Sequence, residues 1–358
     1  MAQPPYPPRP QPGYPQPQGV PGYRGAPAYQ GQPGGYPPPR PSGSPAKLLL
    51  LGLVAVIAVG FFAFSLMSFL NSDDQVTPQP LPTPEIGETS APPTGVPEPD
   101  MNPSNWPAPK DGQEAEQWLV NNALYQQSVQ VPVNCTLGRV DVETISAQEM
   151  ETHLNTLTGC LMMVWREPLE RAGFEMPRPP VTVYSAPITT ACGEAETYNA
   201  FYCTLDQRVY YAMDIHELFR RNDPHVIDNA FLPDNVIGHE FGHAIQARTG
   251  IWASFAGFRA GASEEGALEL GRRNETQADC FAGVFLNAVA QASRMTADER
   301  VGLGEISYAI GDDRLSGNPS AVGDHGHGVN RQYWFETGLA SPQVGVCNTW
   351  TAPSDRVR

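Results

Sequence analysis

The chain has 358 residues, with 38 prolines, 34 glycines, six cysteines and a formal net charge of −16. That length suits about two domains, and the uneven placement of Pro and Gly points to disordered segments beside a globular part. The acidic balance argues against nucleic acid and anionic headgroups as partners, since like charges repel.

Residues 1–47 are a low-complexity stretch of Pro, Gly, Gln and Tyr with no acidic residue; Arg9, Arg24, Arg40 and Lys47 are its only charges. Too few aliphatic side chains are present to bury a core, so disorder with polyproline character is expected. The plain reading is a solvated spacer. The functional one is a docking tail for a cytoplasmic partner that recognises proline.

Residues 48–70 form an uncharged apolar run, roughly 34 Å long as a helix and enough to cross a bilayer. It is too long for a cleaved signal peptide, and no A-x-A site follows. Lys47 precedes it, and Asp73 and Asp74 follow it. The positive-inside rule then places the N-terminus in the cytoplasm and the rest outside, as a single-pass signal anchor in the cell membrane. Residues 71–110 read as an acidic, Pro-rich, semi-rigid linker that holds the next domain off the membrane.

A globular domain is expected over 111–350, with 351–358 as a short tail. Stretches 114–128 and 147–173 read as amphipathic helices. Leu154, Leu157, Leu161 and Val164 give the second an apolar stripe that belongs in a core. Stretches 181–184 and 207–213 read as strands, the latter expected to present an edge to an extended peptide. Helices around a small sheet predict an α+β fold. Thr296 and Glu299 form a capping box that starts a late helix. Gly338 is expected to close a last helix carrying Tyr333, Trp334 and Phe335 as core anchors.

The chemistry concentrates at 236–246, where His239-Glu240-Phe241-Gly242-His243 is an H-E-x-x-H motif. Helical positions four apart share a face, so both imidazoles can hold one metal ion. Glu240 then stands where it can reach a water on that metal as general base, the arrangement of a zinc hydrolase. The apolar flanks Val236, Ile237, Ala244 and Ile245 predict a buried helix, and Pro233-Asp234-Asn235 supplies a start signal. Glu275 and Asp279, four apart on a second helix, offer a third ligand and a carboxylate that orients a ligand histidine. A third histidine ligand of the H-E-x-x-H-x-x-G-x-x-H kind is absent, because Gln246 and Thr249 stand at those positions. His216 and His225 are the alternatives to Glu275.

These blocks resemble the bacterial neutral zinc metallopeptidases, of gluzincin type within the zincin fold. The matching pieces are Thr190 to Gly193, Phe201 to Cys203, the His239 motif, Glu275 to Gly283, and His325-Gly326 followed by Arg331, Trp334 and Phe335. The likeness covers roughly 131–350. It implies a peptidase fold with one Zn²⁺ held by His239, His243 and Glu275, and a peptide or protein substrate in the cell envelope. It also implies the pairing Cys135–Cys160, Cys192–Cys203 and Cys280–Cys347, out of 15 connectivities that six cysteines allow; such bonds suit an oxidising compartment. The family's His-Gly pair maps onto His325, read as a catalytic donor to a developing oxyanion. The family more often has a small hydroxyl residue where this chain has His327. Tyr308 and Tyr333 are the other candidate donors.

Two functions remain open on the sequence. One is a membrane-anchored zinc peptidase acting outside the cytoplasmic membrane. The other is an envelope scaffold or binding protein that keeps zinc for stability alone. Glu240 favours the first, because a purely structural site has no use for that carboxylate.

Overall fold

The computed structural model describes residues 95–358. The expected span at 48–70, the tail before it and the first part of the linker lie outside those residues. Among the described residues no helix is long and apolar enough to cross a membrane.

In chain order come α1 (Gly112–Val120), a 3-10 turn (Ala123–Gln126) and α2 (Ala147–Arg171). Five short strands follow: β1 (Val181–Tyr184), β2 (Ile188–Thr190), β3 (Gly193–Ala195), β4 (Ala200–Cys203) and β5 (Arg208–Ala212). Then come α3 (His216–Asn222), α4 (Leu232–Arg248), α5 (Ile251–Ala260), α6 (Glu264–Val289), α7 (Ala297–Ala309), α8 (Asp312–Leu315) and α9 (Gly328–Leu339). The class is α+β, with a small sheet beside a helical core.

Local chemistry sets several boundaries. Capping boxes start α2 at Ser146 and Glu149 and α7 at Thr296 and Glu299, each satisfying two otherwise orphaned N–H groups. The Leu154–Leu157–Leu161–Val164 stripe is buried, and Trp165 meets Phe281 of α6 edge-on at 5.4 Å. The helix expected over 114–128 stops at Val120. Asn122 breaks it: its oxygen accepts from the Leu124 amide, and its Nδ2 donates to the Thr249 carbonyl at the end of α4.

The main sheet has the order β1-β5-β4, with β1 parallel and β4 antiparallel to β5. The strand at 208–212 is therefore central, with neighbours on both sides, and cannot offer an edge. The edge that faces α4 belongs to β4. Strand order depends on pairings between distant segments, which local alternation does not encode.

All of α4 is buried, and it packs between β4, α2 and α6. Gly242 permits close approach to α6, since a Cβ there would come 2.9 Å from the Ala278 Cα. Gly338 does not close α9, which runs on to Leu339. It is a notch: a Cβ there would come 2.0 Å from the Cys280 carbonyl oxygen, so only glycine lets α9 lie against α6. Trp334 and Phe335 are buried as expected, but Tyr333 is exposed.

Three disulfides join Cys135 to Cys160, Cys192 to Cys203 and Cys280 to Cys347, and no described cysteine is free. The second ties the β2–β3 hairpin to the end of β4, and the third ties α6 to a 3-10 turn at Val344–Cys347. Part of the stretch read as linker lies on the domain. Arg178 donates to the Pro97 carbonyl, Arg248 to the Ser104 carbonyl and the Trp106 indole to the Thr204 carbonyl. At the other end Val357 is fully buried.

Candidate metal centre

Two helices build the site. α4 supplies His239, Glu240 and His243 on one helical face, and α6 supplies Glu275 and Asp279. His239 Nε2 lies 3.2 Å and His243 Nε2 3.5 Å from the two Glu275 carboxylate oxygens. One donor atom from each of the three residues falls within 4.8 Å of the other two. Two imidazole nitrogens and one carboxylate oxygen are a zinc donor set, one ligand short of tetrahedral.

The far sides of both rings are held. Asp279 Oδ1 lies 2.8 Å from His239 Nδ1. A carboxylate accepts and does not donate, so Nδ1 carries a hydrogen, and Nε2, on the Glu275 side, is the nitrogen left to hold a metal. Asp279 is itself gripped by Arg331 of α9, whose Nε and Nη2 donate to the two carboxylate oxygens at 2.9 and 2.8 Å. Burial opposes the Asp279 charge, yet Arg331 and His239 hold its carboxyl below the usual range. Burial would push His239 down, but Asp279, with Glu275 and Glu240, outweighs it and raises the ring to about 9. His243 Nδ1 lies 2.8 Å from Gln246 Oε1. Glu275 is held well below the ordinary carboxylate value by the two imidazoles and His325, against its burial. The residues fit a zinc ion: both Nε2 atoms and the carboxylate converge, and both Nδ1 atoms are already engaged.

Glu240 stands beside this trio with one oxygen accepting from the Tyr202 backbone N–H of β4 at 2.9 Å. Burial raises its pKa, opposed by the neighbouring histidines. The trio and Glu240 open into a cleft of about 360 Å³ whose walls include Phe201, Trp252, Glu275, His325 and Arg331.

His325 reaches this cleft and His327 does not. His325 Nδ1 sits 3.3 Å from Asp324 and 3.7 Å from Asp312, with 52% of the side chain exposed. Those two carboxylates raise its pKa, to about 10, against its partial burial. His327 precedes α9 with its Nε2 against the Ala321 carbonyl at 2.7 Å. His216 contacts the Met213 carbonyl, and His225 projects into solvent. Neither comes near Glu275 closely enough to join the trio. Tyr308 stacks under Arg314 and Tyr333 under Arg356; neither lines the cleft.

The sequence profile of a family described as "putative neutral zinc metallopeptidase" matches residues 120–350. The chain belongs to this family. The family implies zinc, which the donor set accommodates. Among its relatives is the uncharacterized protein YpfJ of Escherichia coli (strain K12), 30% identical over 192 residues, 52% of this chain and 66% of that protein. Another is the uncharacterized protein Rv2575 of Mycobacterium tuberculosis (strain H37Rv), 30% identical over 192 residues, 49% of this chain and 63% of that protein. The chain thus spans a little under two thirds of the length of these relatives. No solved structure matches it.

Two residues of this site escaped the sequence reading. Gln246 was legible only as the residue where a different zinc motif has glycine, although it lies three positions after His243 on the same helical face. Arg331 was visible as part of the resemblance, but its grip on Asp279 spans 52 residues of sequence, which no local pattern carries.

Proposed function

We propose that the protein is a zinc-dependent peptidase that hydrolyses peptide bonds with Glu240 as general base. His239, His243 and Glu275 would hold the ion. Bound there, zinc supplies Lewis-acid polarisation of the scissile carbonyl and acidifies a water molecule. Glu240 takes the proton from that water and returns it to the leaving amine. One of its oxygens is pinned by the Tyr202 amide, which leaves the other for the cleft. The raised pKa that burial gives it suits a group that must both accept and give back a proton.

An extended peptide would add to the β4 edge, the free side of the sheet next to α4. His325, kept cationic by Asp312 and Asp324, would face the oxyanion that develops on the carbonyl. The observation that carries the reading is the convergence of the three ligands with Glu240 in one cleft. The test is Glu240→Gln: with fold and zinc content kept, hydrolysis should fall roughly 10²–10⁴-fold. Equal turnover by zinc-loaded mutant and wild type would remove Glu240 from the mechanism.

We further propose that the domain works outside the cytoplasmic membrane, tethered by residues 48–70, on peptide or protein substrates of the cell envelope. The apolar run with Lys47 before it supports this, as do the three disulfides, which need an oxidising compartment. A reporter fused after Arg358 should be active only outside, and one before Met1 only inside. The reverse pattern would overturn the topology.

A further inference from the structure

We propose that Gln246 is a positioning residue that sets which nitrogen of His243 faces the metal site, and that backbone carbonyls dictate its orientation. The inference rests on reading His239, His243 and Glu275 as one zinc site.

The direction of each hydrogen bond can be worked out from groups that have no choice. A carbonyl oxygen only accepts. Gln246 Nε2 lies 2.7 Å from the Asn274 carbonyl oxygen; turned round, the amide would set oxygen against oxygen. The amide oxygen must therefore face His243 Nδ1, at 2.8 Å. That oxygen also only accepts, so Nδ1 carries a hydrogen, and Nε2, on the Glu275 side, is the nitrogen left for a metal.

A second run of bonds reaches Gln246 from further away. The Tyr125 hydroxyl uses its single proton on the Leu119 carbonyl at 3.0 Å. Its oxygen then accepts from Gln277 Nε2 at 2.9 Å, and the same amide group donates to the Cys347 carbonyl at 3.0 Å. Gln277 Oε1 is thereby turned to accept from Gln246 Nε2 at 3.1 Å. Both glutamines are fully buried, so water offers no competing partner. The Asn274 amide nitrogen lies 3.4 Å from His243 Nδ1, and the Asn274 side-chain oxygen has no partner. With Nδ1–H fixed by Gln246, turning that amide round gives its oxygen a share of the same N–H.

The two ligand histidines are thus backed differently. A charged Asp279–Arg331 pair sits behind His239, and a chain of neutral amides sits behind His243. A neutral backing fixes the ring without adding a buried charge.

The experiment is zinc affinity by chelator competition together with nitrogen-detected NMR of the histidine rings. In the zinc-loaded wild type, His243 should show a protonated Nδ1 and a metal-shifted Nε2. Gln246→Leu should weaken zinc binding roughly 10–100-fold and give His243 ring signals from more than one orientation, with His239 unchanged. Gln246→Glu should recover most of the affinity. Its carboxyl can accept from Nδ1–H and, when protonated, donate to the Asn274 carbonyl. A merely space-filling Gln246 would lower Tm in the Leu variant without moving zinc affinity or the His243 pattern, and that result would overturn the proposal. So would a wild-type ring with zinc on Nδ1, a measurement that stands even if the Leu variant does not fold. A wild type that binds no zinc overturns the site reading and this proposal together. Loss of hydrolysis with normal zinc binding bears only on the peptidase reading.

Discussion

The helix pair α4–α6 and the loop before α9 both reach the same cleft, and they are built on opposite principles. The pair is buried at the site except for the partly exposed Glu275, with Gly242 against Ala278 and each imidazole held from behind by Asp279 or Gln246. The loop is half exposed, and His325 is held only by carboxylates at 3.3 and 3.7 Å. Metal ligands must converge to within tenths of an ångström before anything binds, so they sit on packed helices. On the proposed function, His325 meets charge only as a substrate reacts, and such a group can sit on a looser segment provided its own charge is secured.

The difference can be broken most severely at the helix pair. Gly242→Val would wedge α4 from α6 at the turn that carries His243. Overpacking of this kind costs about 1–3 kcal/mol, and the displacement should abolish zinc retention and hydrolysis together. Metal analysis beside thermal melting checks it; a Val variant that keeps full zinc would show that close packing does not set the ligand distance.

The loop should fail differently. His325→Ala is expected to lower kcat roughly 10²–10³-fold while zinc content stays near wild type. His327→Ala should do much less, because that ring rests on the Ala321 carbonyl outside the cleft. Equal, small effects of the two substitutions would take His325 out of the reaction.

A smaller effect sharpens the comparison at the start of α4. His153 of α2 meets the fully buried Asp234 at 3.1 Å. Burial alone would lower its pKa, but Asp234 raises it above the ordinary value. The folded pKa then lies above the unfolded one of about 6.5. The pair's stabilisation is fully present below that unfolded value and is lost as pH rises through the folded one. The stability gap between wild type and His153→Gln should therefore be wider at pH 6 than at pH 9 by chemical denaturation. A gap independent of pH would mean the imidazole is not charged in the fold.

Much of this was legible where the signal is local. The H-E-x-x-H spacing placed three side chains on one face of α4, and the Glu275–Asp279 spacing placed two on α6. The Thr296–Glu299 capping box marked the start of α7. What stayed hidden depends on partners distant in sequence. Nothing near 208–212 says that β1 and β4 flank it. Gly338 looks like a helix terminator until the Cys280 carbonyl is seen against it. Gln246 has a role only because the Asn274 carbonyl, 28 residues on, fixes its amide. The whole of α4 is buried, so its sequence lacks the one-sided apolar stripe that reveals a surface helix.

The most direct measurement is the zinc content of purified wild type, Glu275→Ala and Asp279→Ala after dialysis against a graded zinc buffer. One zinc per wild-type chain is expected, with Asp279→Ala weakened roughly 10–100-fold and Glu275→Ala weakened far more, since it loses a ligand rather than an orienting group. A wild type without zinc, or a Glu275→Ala variant that binds it as tightly as wild type, would contradict the site.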